Sequence, residues 1–131
     1  MPHGFTYVEL NVAPAKVANA RAFYRALFEW GFDTLAAGDV PYVAFDVADG
    51  IAGGLTGTTL DGRAGWIPYV RVDDCHPSAE SAIALGARIL RPTRTIPSKG
   101  ALTIIEDPVG GIVGLWQPFV PEPEPDLGPA K

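Results

Sequence analysis

Residues 100–117, GALTIIEDPVGGIVGLWQ, decide how the rest of the chain is read. The apolar run Ala101–Ile105 predicts a strand. It stops at Asp107-Pro108, because proline offers no N–H for pairing and holds the residue before it extended. Gly110-Gly111 supplies the backbone freedom for a reversal, and Ile112–Trp116 predicts the returning strand. The same arrangement occurs earlier, with a strand over Tyr42–Val47, a turn at Ala48-Asp49-Gly50 and a strand over Ile51–Leu55. The chain therefore reads as two copies of one unit, the second closed by the 100–117 hairpin.

Working outward from that hairpin, Phe5–Val12 alternates as a half-buried strand does. Val8, Leu10 and Val12 form its apolar face, and Tyr7, Glu9 and Asn11 share the other. Ala15–Trp30 predicts a helix, with Val17, Ala20, Phe23, Tyr24, Leu27 and Phe28 at three-to-four spacing and Gly31 as its stop. Phe23, Phe28 and Trp30 are read as core. Asp33–Val40 predicts a strand and turn, and Thr56–Gly65, rich in Gly, Thr and Asp, a linker. The pattern then restarts. Trp66–Asp73 predicts a strand with Tyr69 and Arg71 on one face and Val70 and Val72 on the other. Pro77–Leu85 predicts a helix with Ala79, Ala82, Ile83 and Leu85 inward and Gly86 as its stop. Ala87–Leu90 predicts a short strand, and Pro92–Lys99 a loop. Two strand–helix–three-strand units thus follow one another at an offset of roughly sixty residues.

Composition bounds the function. The 131 residues suffice for one compact domain or two small modules sharing a core. A formal net charge of -5, with seven arginines and three lysines scattered along the chain, argues against nucleic acid. One cysteine, Cys75, excludes an internal disulfide and fits a reducing compartment. No leader-like or membrane-length apolar segment is present, so a soluble, cytoplasmic protein without membrane partners is expected. The end of the chain, PFVPEPEPDLGPAK, is Pro-rich and acidic and is expected to be a mobile tail.

The duplicated pattern, with AFYRALFEWGF after the first strand, YVRVDD opening the second unit and DPVGGIVGLWQP closing it, is similar to the vicinal oxygen chelate superfamily. That group includes glyoxalase I, the bleomycin-resistance binding proteins and the extradiol dioxygenases. The resemblance covers Phe5 to Pro118. It implies an α+β fold in which two tandem βαβββ modules, residues 1–57 and 66–118 around a linker at 58–65, form a cup-shaped mixed sheet with helices outside. Residues 119–131 lie beyond it as the tail. In relatives the modules pair within one chain or exchange between two, and both arrangements are open at this point. Phe23, Tyr24 and Phe28 could serve core or dimer contact, so a homodimer is an expectation.

In metal-dependent members the resemblance implies ligands from the first and last strand of each module, drawn from His, Glu and Gln. Carried over one by one, the positions fall on Tyr7 (Glu9 only with a two-residue shift of register), Gly53, Ile67 and Gly114. None suits a metal, so no metal or other cofactor is expected. The two glycines are read as leaving room for a ligand above the sheet. His3 and His76 read as surface imidazoles. Asp74 reads as a cap for the second helix, and Cys75 as a bystander thiol.

What remains is a cup lined by Tyr7, Glu9 and Asn11 on one side and Tyr69 and Arg71 on the other. Ile112 and Trp116 join Gly114, and Ile51 joins Gly53. Trp66 and Trp116 could each be core or pocket wall. Aromatic walls with a few polar groups suit a small molecule. Buried Glu9 must meet a partner, with Arg71 the leading candidate. Three functions follow, in order of rank. The first is a metal-independent protein binding a small apolar or aromatic ligand. The second is a metal-free isomerase, lyase or cyclase with Glu9 as general acid or base and Arg71, Asn11 and Tyr7 orienting the substrate. The third is a metal-dependent lyase or dioxygenase with displaced ligands such as Glu9 and His76.

Overall fold

The computed structural model describes residues 3–35, 42–47 and 50–120. In chain order the strands are β1 (Phe5–Asn11), β2 (Gly31–Leu35), β3 (Tyr42–Asp46), β4 (Ala52–Thr56), β5 (Gly65–Arg71), β6 (Arg88–Ile96), β7 (Gly100–Glu106) and β8 (Ile112–Pro118). Helix α1 (Val17–Phe28) follows β1 after a short 3-10 turn at Pro14–Lys16, and α2 (Cys75–Ala84) follows β5. The strands form one mixed sheet in the order β2-β3-β4-β1-β5-β8-β7-β6. Within each half the first and last strands run parallel, β1 with β4 and β5 with β8, as two βαβββ units require.

Register makes the duplication quantitative. Glu9 stands beside Gly54 in the first unit, and Tyr69 stands beside Gly114 in the second, sixty residues further along. The halves join through antiparallel pairing of β1 with β5, Tyr7 opposite Tyr69, Val8 opposite Pro68 and Glu9 opposite Ile67. The two units therefore pair within one chain and share one continuous sheet.

The helices cover one face of the sheet. Beneath α1 lie Leu10, Val12, Val43, Phe45 and Leu55, and beneath α2 lie Val72, Cys75, Ala79, Ala101, Ile105 and Leu115. The Cys75 thiol, fully buried and 3.5 Å from the Ala101 carbonyl oxygen, is a packing group. Trp66 belongs to this face, its indole N–H donating to the Tyr24 hydroxyl at 3.3 Å and its ring packing on Phe45. Trp30 stacks on Tyr24. A third cluster, with Leu60, Ile67, Tyr69, Leu102 and Ile104 at its centre, fills part of the opposite, cup face.

Several local expectations are corrected. Helix α1 stops at Glu29, in left-handed geometry at φ 58°, and Gly31 already belongs to β2. Its sheet-facing stripe is only Val17, Ala20 and Tyr24, so Phe23 and Phe28 are 57% and 50% exposed. Helix α2 begins two residues early because the Asp74 carboxylate accepts from the His76 backbone N–H at 3.1 Å and caps it. Ala79 and Ala82 face inward as expected, but Ile83 and Leu85 are exposed. The segment read as a loop at Pro92–Lys99 mostly continues β6. Proline is tolerated there because β6 is an edge strand whose register is irregular between Ile89 and Arg94. The turn residues Ala48 and Asp49, the end of the Asp33–Val40 segment and tail residues 121–131 lie outside the described residues.

Candidate functional site

Alternation along β1 brings Tyr7, Glu9 and Asn11 to the cup face, and pairing carries the same face across to Tyr69 and Ile67 on β5. From β8, Ile112, Gly114 and Trp116 complete it, opposite Glu106, Ile104 and Leu102 on β7. Of the residues expected in the cup, Gly53, Ile51 and Arg71 do not reach it, Arg71 because it lies at the exposed end of β5. Gly53 pairs with Val8 and faces the helix side, where an added Cβ would stand 2.8 Å from a ring carbon of buried Phe45. Ile51 shares its parity and lies exposed just outside β4. Residue Gly54 takes the place assigned to Gly53. The sixty-residue offset to Gly114 was the signal that could have identified it.

The two cup glycines admit parts of the protein itself. A Cβ on Gly54 would collide with the hydroxyls of Tyr7 and Tyr42, and one on Gly114 with the ring of Tyr69. The space read as room for a ligand is filled by tyrosine. Tyr42, from β3, was not anticipated as a site residue; its hydroxyl pairs with that of Tyr7. Tyr7 also meets Tyr69 edge-on, the ring centroids 6.1 Å apart.

Glu9 sits inside this group of tyrosines. The Tyr69 hydroxyl donates to Glu9 Oε1 at 3.2 Å. Burial raises the Glu9 carboxyl above its usual range, while hydrogen bonds from Tyr69, Asn11 and Tyr42 and the positive charge of Arg91 act the other way. The phenols are displaced too. Burial pushes Tyr7 up to about 12, its bond to Tyr42 opposing and Glu9 adding to the rise. Tyr42 and Tyr69 are raised further, by burial first and then by the Glu9 charge. The expected Glu9–Arg71 ion pair is absent: Arg71 lies at the exposed end of β5, and the cation acting on Glu9 is Arg91 from β6. Among the described residues the ion pair formed is Arg88 with Glu106, at 3.2 Å.

The β4–β5 connection does more than link. Leu60 joins the buried cluster of Ile67, Tyr69, Leu102 and Ile104, and the Arg91 guanidinium donates to the Thr59 carbonyl oxygen at 3.3 Å. A tight turn at Asp61 and Gly62, both at positive φ, returns the chain to β5. Between this connection and the sheet lies a cleft of about 260 Å3, bordered by Asn11, Trp66, Ile67, Leu90 and Ile112.

The residues present do not fit the divalent metal that the fold family can hold. At the four equivalent positions stand Tyr7, Gly54, Ile67 and Gly114, of which only Tyr7 has an oxygen donor. No three His, Cys, Asp or Glu side chains converge among the described residues. Exposed His76 belongs to α2, which packs on the opposite face of the sheet from Glu9. No helix among the described residues is long and apolar enough to cross a membrane.

No protein-family model matches the chain. Over 115 residues it is 30% identical to "Putative glyoxylase CFP32" of Mycobacterium tuberculosis and of Mycobacterium bovis. That match covers 75% of this chain and 40% of the mycobacterial proteins, so the chain spans about two fifths of the curated relatives it matches. Among solved structures, the hypothetical protein BH1468 from Bacillus halodurans superposes with a TM-score of 0.65 at 8% identity, covering 95% of this chain and all of that one. Homoprotocatechuate 2,3-dioxygenase from Brevibacterium fuscum gives 0.58 at 19% identity, over 88% of this chain and 36% of the dioxygenase. Two βαβββ units in one continuous cup-forming sheet, superposing on these structures, give the chain the fold that its resemblance to the vicinal oxygen chelate superfamily implies.

Proposed function

We propose that the protein binds a small apolar or aromatic molecule on the cup face of its sheet, without a metal ion. The observation that carries this reading is the replacement of the metal-holding positions by Tyr7, Gly54, Ile67 and Gly114, with tyrosine packed over both glycines. An open cleft of mixed apolar and polar lining, with Leu60, Ile67, Leu90 and Ile112 beside Asn11, Asp61, Arg63 and Glu106, lies beside that cluster and supports binding there. The residues assigned to ligand contact are those that reach the cup: Tyr7, Glu9, Asn11, Tyr69, Ile112 and Trp116, with Gly114 beneath Tyr69. The test is a thermal-shift screen of small aromatic and aliphatic compounds with chelator present throughout. Saturable stabilisation supports the reading, and stabilisation that requires added metal contradicts it.

One observation favours a second reading, a metal-free isomerase, lyase or cyclase. Glu9 is partly buried, held by Tyr69 and raised in pKa, as a general acid or base working near neutral pH must be. It ranks second because, among the described residues, no second acid–base group beyond the raised phenols completes a proton-transfer pair with Glu9. Loss of turnover in Glu9→Gln with ligand binding retained would promote it to first.

A further inference from the structure

On the side of the sheet away from the cup, helix α1 leaves a large apolar surface uncovered. Phe23, Leu27 and Phe28 are 57%, 56% and 50% exposed, and Trp66, from β5, is 39% exposed. They form one patch, because three of them meet the same ring. Phe23 and Trp66 pack edge-on against Tyr24, with ring centroids 5.0 and 5.5 Å away, and Phe28 stacks on it at 6.2 Å. Leu27 adjoins Phe23 one helical turn along. The sheet-facing stripe of α1 is Val17, Ala20 and Tyr24, so core formation does not account for large apolar side chains at 23 and 27.

The size of the patch points to a protein partner. With about 200 Å2 for each aromatic ring and somewhat less for leucine, those exposures leave roughly 400 Å2 of apolar surface open on each chain. One side of a standard interface between folded proteins buries about 800 Å2, of which somewhat over half is apolar. The patch supplies nearly all of that apolar share.

Its chemistry selects the partner. None of the four side chains is charged, and the charges beside them on the helix end, Arg25 and Glu29, have opposite signs one turn apart. A membrane surface or a nucleic acid calls for clustered cations. A second copy calls for a patch that matches itself about a twofold axis, without like charges brought together. With the axis between Phe23 and Leu27, antiparallel α1 helices set Phe23 against the partner's Leu27, and Leu27 against the partner's Phe23.

We propose that two copies of this chain associate through this patch, α1 against α1, as a twofold dimer with both cups facing away from the contact. The dimer is independent of what the cup binds.

Sedimentation equilibrium of the full chain tests it, with circular dichroism to confirm that each variant is folded. The wild type is expected to follow a monomer–dimer equilibrium with a Kd of about 10 μM or tighter. Phe23→Glu and Leu27→Glu, at exposed positions outside the core clusters, should each weaken it at least about tenfold. Leu85→Glu, still more exposed but at the end of α2, should leave it unchanged. Chains carrying Phe23→Cys and Leu27→Cys, mixed and mildly oxidised, should form the mixed disulfide in preference to either symmetric one, since Cys75 is buried. A monomer up to about 100 μM overturns the proposal, because an interface of this size would be populated there. A dimer that both glutamate variants leave intact overturns it too, as does assembly that continues beyond two copies. A mixed disulfide no more abundant than the symmetric ones overturns the helix pairing.

Discussion

The ring of Tyr69 occupies the volume that a side chain on Gly114 would need, one strand away in the parallel β5–β8 pair. The glycine and the tyrosine are thus a matched pair. Gly114→Ala should destabilise the fold by about 1–3 kcal/mol, because the added methyl meets a ring that is 97% buried by its surroundings and has little freedom to move. Gly65→Ala, in β5 with nothing within 4 Å of the new Cβ, should change stability by less than about 0.5 kcal/mol. Urea denaturation of the two variants measures the difference directly.

Replacing Glu9 by glutamine should alter stability in a pH-dependent way. The folded protein raises the Glu9 pKa, so the unfolded chain loses this proton at lower pH than the folded one does. As pH climbs through that window the wild type loses stability that the neutral glutamine keeps. Glu9→Gln should therefore have a higher Tm than wild type at pH 7, with the gap closing below pH ~4 as the wild-type carboxyl becomes neutral in both states. An unchanged or lower Tm at pH 7 would mean that Glu9 is stabilised as an anion.

The phenols give an independent readout of the same environment. Tyr7, Tyr42 and Tyr69 are all raised, Tyr7 to about 12, so these three of the chain's four tyrosines should remain neutral in the folded protein at pH 11. Absorbance of tyrosinate at 295 nm should stay well below the value reached after unfolding in denaturant at the same pH. Because unfolding releases these protons, stability should also fall as pH rises above about 10.

The Asp107 turn should be a measurable anchor of the second unit. Asp107 Oδ1 accepts from the backbone N–H groups of Val109 at 2.9 Å and Gly111 at 2.8 Å. Asp107→Ala removes both bonds and should cost about 1–2 kcal/mol, seen as a lower urea midpoint with the slope unchanged.

The fold was legible because its punctuation is local. The Asp107-Pro108 turn, the two apolar hairpins and the alternation in β1 and β5 each depend on a few neighbouring residues. The site was less legible, for a physical reason. The parity of β4 is set by its pairing with β1, so a one-residue error there exchanged Gly54 for Gly53 and turned Ile51 toward the cup. Parity alone puts Arg71 near Glu9, but it lies at the exposed end of its strand, while Arg91 acts on Glu9 from the part of β6 beyond Leu90, where Pro92 masks the strand. Leu60 was hidden in a segment whose Gly and Asp content marks a turn without revealing that the connection packs back over the sheet. Tyr42 was legible as a strand residue, yet its meeting with Tyr7 depends on β3 lying two strands away from β1.

In the cup, Tyr7, Gly54, Ile67 and Gly114 stand at the positions where the resemblance implies metal ligands, and the protein is proposed to work without a metal. Elemental analysis decides this, on protein purified without added metal and without a histidine tag, then offered zinc, iron(II), nickel and manganese and desalted. Less than about a tenth of an equivalent of any of them should be retained, and the Tm should not respond to their addition. Close to one equivalent retained, with a Tm that rises on loading and falls with chelator, would contradict it and make Glu9 the first ligand to mutate.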